Sequence, residues 1–363
     1  MQVGQNPEFH VNLLPALYAA GRAACQQSKQ PGSRGFNPSQ GLLNPCGGPS
    51  IESRWQGLPQ GSAFSEGLLG MDTQGFRTIK SCIDASVNFV REHPMGGLVE
   101  TRFVRRVPER FVVYLSTMNG CDKACRFCHL TQTGQTMANL LSHGEITGQA
   151  DKVLAQADYS GARTVHFNFM ARGEPLSNPA VGHSLFAELG ELARQRGLTS
   201  RIKLSSIFPR DLKPGEPSSL WREGIPPVDF YYSLYSLDPA WRKRWVPKAA
   251  DPGEALSWLA RFQSETGNRV ILHWALIDGE NDSEESARDI AAAAKSHGLR
   301  FDFNLVRYNP ANGKSRETTP ERMERYVQAM RDEIGDRGRV KVIARVGFDI
   351  AASCGMFLLP DAA

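Results

Sequence analysis

Three cysteines crowded into one short stretch are the residues most able to do chemistry in this sequence. Cys121, Cys125 and Cys128 stand at Cys-x3-Cys-x2-Cys spacing, with the aromatic residue Phe127 just before the last of them. Thiolates this close in sequence can converge on one metal centre, and iron–sulfur clusters and zinc are the usual occupants. Three protein ligands leave one coordination position for a group that is not protein. The alternatives are a structural zinc site, with His129 or a distant cysteine as fourth ligand, and a chance spacing.

The composition is typical of a globular protein from a reducing compartment. The chain has 363 residues, 41% hydrophobic and 22% charged, which suits one large α/β domain with an extension. Seven cysteines, with three of them in one loop, favour a metal site over a disulfide framework. No apolar run approaches the roughly 18 residues of a membrane span, and the start of the sequence lacks the pattern of a signal peptide. We therefore expect a cytoplasmic protein without a membrane partner.

Two clusters of basic residues are candidate contacts for nucleic acid, although the net charge of +4 is only mildly basic. The first cluster precedes the cysteine loop and consists of Arg102, Arg105, Arg106 and Arg110. The second lies between Trp241 and Trp245 and interleaves cations with aromatic rings. Such clusters can hold phosphates and stack on bases. The alternative is a solvated basic face with snorkelling side chains, which the composition alone favours.

Two segments precede the part of the chain that carries a regular pattern. Residues 1–75 are rich in Gly, Pro, Gln, Ser and Asn, which predicts an irregular extension with one helix-like run at residues 13–25. Residues 76–97 are predicted to form a helical lead-in, with a helix over residues 78–93. Four β-branched side chains recur there at three- and four-residue spacing: Ile79, Ile83, Val87 and Val90. At the other end of the chain, residues 357–363 would form a short tail.

From residue 98 to residue 356, β-like runs alternate with helical ones. The β-like runs are residues 111–117, 163–170, 201–207, 228–235, 269–277 and 301–307, with a last run at 339–346. The helical candidates are residues 145–158, 181–196, 253–266, 283–297 and 320–334. Strands that alternate with helices build a parallel sheet from right-handed βαβ units. Chemistry in α/β barrels takes place at the carboxyl ends of the strands, and the cysteine loop follows the first run.

Short motifs at the ends of these runs resemble those of one enzyme family. They are Gly-Glu-Pro at 173–175, Leu-Ser-Ser at 204–206, Ser-Leu-Tyr at 233–235, and the stretches 276–283, 308–310 and 347–355. Gly-Glu-Pro alone offers close backbone approach and a carboxylate, and it is also compatible with an ordinary turn. In this order, with the cysteine loop, the motifs resemble the RlmN/Cfr family of radical S-adenosylmethionine (SAM) enzymes, which methylate an adenine carbon in RNA. The resemblance covers about residues 98–356, and the Asp-Ile-x3-Cys-Gly ending is its most specific part.

The resemblance implies an α/β fold, a partial (β/α)6 TIM-type barrel, with two cofactors. Cys121, Cys125 and Cys128 would hold a [4Fe-4S] cluster whose open iron binds SAM, and reduction would give a 5′-deoxyadenosyl radical. The implied SAM contacts are Gly173, Glu174, Ser205, Ser233, Leu234, Tyr235 and Asn309. Tyr235 stands where the family has histidine, a change that a backbone contact would tolerate. A flavodoxin or ferredoxin would be the electron donor.

The same resemblance implies three catalytic positions. Cys354 matches a cysteine that carries a methyl group, and otherwise it would be an inert buried thiol. Glu100 matches a glutamate assigned as proton acceptor, and otherwise it would be a solvated strand-edge carboxylate. Tyr114 replaces the family's second cysteine, which releases the product through a disulfide. A phenol, with an unperturbed pKa of about 10, cannot form that disulfide. Cys82, the remaining candidate thiol, lies on the predicted helix outside the barrel.

The missing thiol suggests that the radical machinery serves a changed reaction. The family's compact RNA-binding domain is also not recognisable in residues 1–97. The first hypothesis is isomerisation of an amino-acid-modified thymine in DNA, as radical SAM relatives in phage pathways perform, with Cys354 or Tyr114 returning a hydrogen atom. Such an enzyme would act on nucleic acid or a modified nucleotide in the host cytoplasm. The second hypothesis is adenine methylation in RNA, and the third is a zinc or nucleic-acid-binding protein without catalysis.

Overall fold

Ten strands form one sheet in which the order along the chain is also the order in space. The computed structural model of the protein describes residues 75–211, 215 and 219–360. Within these residues the strands lie in the order β1 to β10. The first four strands pair antiparallel, and β4 to β10 pair parallel. The predicted extension lies outside the described residues, residue 75 excepted, and so does its helix-like run at 13–25.

A meander of antiparallel strands replaces the predicted helical lead-in. The strands are β1 (Arg77–Lys80), β2 (Val87–Glu92), β3 (Leu98–Val107) and β4 (Arg110–Tyr114). The helix predicted over residues 78–93 is therefore wrong, and with it the helical lead-in at 76–97. Ser81 Oγ accepts the amides of Ile83 and Asp84, so a turn interrupts the apolar spacing on which the prediction depended. The β-branched side chains on either side of this turn favour strands.

Helices connect most of the parallel strands. The strands are β5 (Thr164–Phe169), β6 (Thr199–Ser206), β7 (Val228–Tyr232), β8 (Val270–Ala275), β9 (Phe301–Val306) and β10 (Val340–Ile343). The helices are α1 (His129–Gln132), α2 (His143–Gln156), α3 (His183–Arg194), α4 (Pro239–Trp245), α5 (Pro252–Thr266), α6 (Glu284–Ser296) and α7 (Pro320–Ile334). The alternation predicted from residue 111 onward is confirmed, and helix α7 has the bounds that were predicted.

Local capping explains why two of these helices begin and end where they do. Ser142 and Glu145 form a capping box at the start of α2, in which each side chain accepts the other's backbone amide. Asp251 caps α5, whose first residue is Pro252. Gly267 ends α5 with a φ of 66°, a left-handed conformation that glycine adopts without strain.

The sequence patterns missed α4, which carries the second basic cluster. Trp241 and Trp245 are only 2% and 7% exposed, so they are not available to stack on bases. Arg242 is also buried and donates to the carbonyl of Leu234 at 2.9 Å. Arg244 is exposed and pairs with a glutamate side chain. The suggestion that the aromatic rings of this cluster contact nucleic acid is therefore wrong.

The parallel strands curl into an open barrel. Each of the seven strands β4 to β10 contributes at least one side chain to the lining of a single cavity, which we call the barrel cavity: Tyr114, Asn168, Lys203, Tyr231, His273, Asn304 with Val306, and Ile343. Strands β1 and β10 form the two edges of the sheet. The apolar core lies on the other face of the strands, under the helices. Within the described part of the chain, no helix combines the length and apolar character needed to cross a membrane.

Candidate active site

The cysteine loop leaves the carboxyl end of β4 and borders a cavity at that end of the barrel. The amide of Cys128 donates to the carbonyl of Cys125 at 3.0 Å, which closes a tight turn. The amide of Arg126 donates to the carbonyl of Trp245 at 2.9 Å and so ties the loop to α4. Cys121, Cys125 and Cys128 all line this space, which we call the cysteine cavity. The structure thus brings together the three residues predicted to bind a metal centre.

The donor set of the cysteine cavity fits a [4Fe-4S] cluster. Burial raises the pKa of all three thiols, to about 12 for Cys121 and about 11 for Cys128. Metal binding to such thiols releases their protons. In residues 75–211, 215 and 219–360, no three His, Cys, Asp or Glu side chains gather closely enough to hold one metal ion. The cysteines instead border a shared cavity, and thiolates are the usual ligands of iron–sulfur clusters.

The turn at Gly173 and Glu174 forms a second part of the cavity wall. Gly173 has a φ of +98°, and a Cβ atom there would lie 2.6 Å from Oγ1 of Thr117. Only glycine therefore allows this turn to pack so closely against the segment that leads into the cysteine loop. Glu174 is buried, and its carboxylate accepts the amides of Leu176 at 3.1 Å and Ile207 at 3.2 Å. Burial raises the pKa of Glu174 to about 7.

Most of the other predicted SAM contacts also line the cysteine cavity. They are Ser205, Ser233, Tyr235 and Asn309. Leu234 is the exception, because its side chain is fully buried in the apolar core. Tyr235 has a φ of 61°, and its ring stacks on Phe127 with 4.2 Å between ring centroids. The tyrosine ring thus packs against the residue that precedes the last cysteine of the loop.

Cys354 lies where the cysteine cavity meets the cavity inside the barrel. Its side chain lines both spaces. Its Sγ atom is 3.9 Å from Nε2 of His273, and its carbonyl accepts Nδ2 of Asn309 at 2.9 Å. Burial raises the pKa of Cys354, and burial lowers the pKa of His273 to about 3, so the imidazole is neutral near pH 7. A thiol that borders two cavities is placed for a role beyond packing.

Glu100 is completely buried between two arginines. One of its carboxylate oxygens accepts Nη2 of Arg172 at 2.6 Å, and the other accepts Nη2 of Arg102 at 2.7 Å. Burial alone would raise the pKa of Glu100, but Arg172 and Arg102 outweigh it and lower that pKa. The alternative of a solvated strand-edge carboxylate is therefore wrong. Among the described residues that line the two cavities, Glu100 is not found.

The Glu100 ion pairs hold the segment that follows Cys354. The amide of Leu358 donates to Glu100 at 3.0 Å, and the carbonyl of Leu358 accepts Arg172 at 2.8 Å. The ring of Phe357 packs against Arg102, with 4.8 Å from the guanidinium carbon to the ring centroid. The start of the predicted tail at residues 357–363 is thus fixed to the barrel, and it anchors the loop that carries Cys354.

Comparisons with known proteins place this chain in a family. No protein-family model matches it. A probable dual-specificity RNA methyltransferase RlmN from Gloeobacter violaceus is 32% identical over 282 residues, which cover 75% of this chain and 74% of that protein. The chain belongs to the RlmN family of radical SAM enzymes. An RlmN from Frankia casuarinae is 32% identical over 291 residues, but this chain spans only 65% of that relative's length.

A solved structure shares the fold of this RlmN-family chain. It is a radical SAM methyltransferase from Sphaerobacter thermophilus, with a TM-score of 0.62 and 24% sequence identity. The match covers 77% of this chain and 79% of the other. The predicted partial barrel is therefore confirmed as the fold.

Tyr114 is the residue predicted to stand where the RlmN/Cfr family has its second cysteine. It ends β4 and lines the barrel cavity together with Cys354. Cys82 is exposed in the turn between β1 and β2, and its amide donates to Asp349 at 2.8 Å. Within the described residues, Cys354 is the one cysteine that lines the barrel cavity. The lining of the barrel cavity therefore combines Cys354 with a phenol, and no second thiol is among the described residues that line it.

Sequence reasoning missed the polar inner face of the barrel. On β5 to β9, polar residues such as Asn168, Lys203 and His273 alternate with apolar ones that face the helices. Strands buried on both faces of a parallel sheet usually read as continuous apolar runs. The alternation of polar and apolar residues with a period of two along these strands could have predicted a polar inner face.

Proposed function

We propose that this chain is a radical SAM enzyme that modifies a nucleobase. Its similarity to relatives of the RlmN family favours C-methylation of adenine in RNA as the reaction. Those relatives are named as dual-specificity RNA methyltransferases. The observation that carries the proposal is the position of Cys354, which borders the cysteine cavity and the barrel cavity at once. A thiol in that place can reach groups held in either space.

The cysteine cavity would hold both cofactors. Cys121, Cys125 and Cys128 would bind the [4Fe-4S] cluster, and SAM would lie against the remaining wall. When bound, the cluster and SAM supply one-electron chemistry that activates a C–H bond. Six of the seven predicted SAM contacts line the cavity and remain proposed contacts: Gly173, Glu174, Ser205, Ser233, Tyr235 and Asn309. The carbonyl of Leu234 accepts a hydrogen bond from α4, and its side chain packs in the core.

In methylation, the residues around Cys354 would hold the methyl-carrying sulfur in place. Cys354 would carry the methyl group as a thioether beside the base. His273, neutral and 3.9 Å from the sulfur, would limit its orientations. Asn309 would fix the loop through its bond to the carbonyl of Cys354. Glu100 stays a predicted proton acceptor, although its two arginine partners suit a positioning role better.

Tyr114 favours a second candidate, the isomerisation of an amino-acid-modified thymine in DNA. Methylation in the manner of the RlmN/Cfr family calls for a second thiol, and Tyr114 lines the barrel cavity in its place. In isomerisation, Cys354 or Tyr114 would return a hydrogen atom to a substrate carbon, and one electron from the electron donor with one proton from solvent would restore the S–H or O–H bond. The product then has the same atomic composition as the substrate, so this reaction does not need a second thiol that forms a disulfide. The names of the relatives favour methylation over this candidate. An electron donor such as flavodoxin or ferredoxin would serve both reactions.

Mass spectrometry of nucleosides separates the two reactions. Protein reconstituted without oxygen would be incubated with SAM, a reductant, and either RNA or DNA that contains glycine-modified thymine. A gain of one methyl group on adenosine supports methylation, whereas a new nucleoside of unchanged mass supports isomerisation. If neither product forms on any nucleic acid, the nucleobase assignment is wrong. A colourless, zinc-loaded protein that leaves SAM intact would support the non-catalytic alternative.

A further inference from the structure

The cavity inside the barrel is lined by positive charge. Its ionised side chains are four cations: Arg106, Lys203, Arg307 and Arg345. No aspartate or glutamate is among the described residues that line it. The cavity holds about 80 Å³ of open volume, several times the ~10–15 Å³ that one water molecule needs. It therefore has room for a small charged group beside Cys354.

Two of the four cations have no ion-pair partner among the described residues. Arg307 and Arg345 share Glu317, at 2.5 Å and 3.1 Å. Across the part of the chain that the structure describes, the side chains of Arg106 and Lys203 form no ion pair and no hydrogen bond, and Nζ of Lys203 lies 5.6 Å from the centroid of the Tyr231 ring. Burial lowers the pKa of Lys203 to about 8, with a further decrease from Arg106 and an opposing increase from Asp229. A partly buried cation in this situation is stabilised by an anion that neutralises it.

Buried polar atoms next to these cations also lack partners. Oδ1 of Asn168 and Nδ1 of His273 make no hydrogen bond among the described residues. Both residues line the cavity and are only 4% and 7% exposed. Buried polar atoms are nearly always paired in native structures, with protein, water or ligand. The lining is therefore suited to a polar group that enters from outside the protein.

We propose that the barrel cavity binds an oxyanion carried by the substrate, held by Lys203 and Arg106 beside Cys354. This inference rests on the proposed function, because the substrate is the group that Cys354 acts on. A phosphate of the target nucleotide and a carboxylate attached to a modified base share this chemistry. A base without a nearby anion would leave the partly buried Lys203 without an anionic partner in the cavity. The site thus defines the substrate class as a nucleotide unit that places an oxyanion next to its reacting carbon.

Calorimetric titration of the reconstituted protein tests this site with four probes. Thymidine and adenosine carry no anion, thymidine monophosphate carries a phosphate, and glycine carries a carboxylate. We expect at least one anionic probe to bind, and Lys203→Met to weaken it about tenfold or more, as for a lost charged hydrogen bond. Lys203→Arg should keep most of the affinity. The probe that responds distinguishes phosphate from carboxylate.

Two further variants keep the test decisive. Arg106 is exposed, so Arg106→Gln should fold normally and still weaken the anionic probe. Lys295→Met removes an exposed lysine of α6, remote from the cavity, and should leave binding unchanged. Equal binding by wild type and Lys203→Met, or an equal loss in Lys295→Met, would overturn the proposal. Lys203 does not line the cysteine cavity, so reductive SAM cleavage by Lys203→Met separately reports on the proposed function.

Discussion

The Sγ atom of Cys354 lies 3.9 Å from Nε2 of His273, at the boundary between the cysteine cavity and the barrel cavity. The histidine comes from β8 and the cysteine from the C-terminal loop, so the contact joins the barrel to its last segment. The imidazole is neutral because burial lowers its pKa to about 3. This pair therefore places a thiol, with a neutral neighbour, between the proposed cofactors and the proposed substrate.

Replacement of Cys354 should separate cofactor binding from product formation. We expect Cys354→Ala to keep its iron content, because Cys354 is not one of the three loop cysteines. Product formation on nucleic acid should fall by more than a hundredfold, about 2.7 kcal/mol in activation free energy. Peptide mass spectrometry of the active wild type adds a direct reading, since a methylated Cys354 supports methylation. Full activity in Cys354→Ala would remove this residue from the reaction.

The cluster assignment predicts the outcome of single cysteine replacements. Cys125→Ala should lose most of its iron and sulfide and the brown colour after reconstitution, because two thiolates hold a cluster poorly. Cys82→Ala is the matched control, because Cys82 is exposed and distant in sequence from the loop. It should reconstitute like the wild type. Iron retention in Cys125→Ala equal to the control would contradict the ligand set.

Loss of the Glu100 carboxylate should destabilise the fold. Glu100→Gln leaves Arg102 and Arg172 without their buried partner, which typically costs about 3–5 kcal/mol. Urea unfolding would measure this, with Glu109→Gln, an exposed residue of the β3–β4 turn, as the control. Unchanged stability in Glu100→Gln would contradict the positioning role and favour a purely chemical one.

The ion pairs of Glu100 also predict a pH dependence of stability. Its pKa in the folded protein is below the ordinary value of 4.5. The stabilisation is therefore fully present above that ordinary value, and it is lost as the pH falls through the folded-state pKa. We expect the difference in unfolding free energy between wild type and Glu100→Gln to shrink as the pH is lowered from 7 toward 3. If the difference in unfolding free energy grew on acidification, the prediction that the ion pairs lower the pKa of Glu100 would be contradicted.

Gly173 should not tolerate a side chain. A Cβ atom there would lie 2.6 Å from Thr117 and 2.8 Å from Met118, at a φ of +98°. Gly173→Ala should therefore cost about 1–3 kcal/mol in stability and weaken SAM binding. Gly197→Ala is the control, because Gly197 also has a positive φ, +71°, but has open space around it. Equal melting temperatures and SAM affinities for the two variants would argue against a role of crowding.

Tyr114 gives a test of the second candidate reaction. If its phenol returns a hydrogen atom, Tyr114→Phe should lose the isomerised product while SAM cleavage continues. Tyr231→Phe is the matched control, because Tyr231 lines the same cavity from β7. Similar product yields from both variants would leave Cys354 as the hydrogen donor of this reaction.

The sequence predicted the parallel barrel and the cysteine loop because both depend on local patterns. The loop carries its ligands within eight residues, and helix α7 (Pro320–Ile334) carries its cap and its apolar period together. The helix predicted over residues 78–93 failed because the turn at Ser81 breaks the pattern without any glycine or proline.

Long-range pairs were out of reach of the same reasoning. Glu100 bonds Arg172, which is 72 residues away, and Leu358, which is 258 residues away. No local sequence pattern contains such contacts, so the sequence was equally compatible with an exposed carboxylate at Glu100. The prediction that the rings of Trp241 and Trp245 stack on bases was wrong for the same reason, because tertiary packing decides which side of a short helix is buried.

Reductive cleavage of SAM tests the central claim most directly. Protein reconstituted with iron and sulfide without oxygen would be mixed with SAM and dithionite, and 5′-deoxyadenosine would be quantified by liquid chromatography. We expect the wild type to form it, and Cys125→Ala to form none above a protein-free control. A reconstituted wild type that leaves SAM intact, or a Cys125→Ala variant that cleaves it equally well, would contradict the claim that this chain is a radical SAM enzyme.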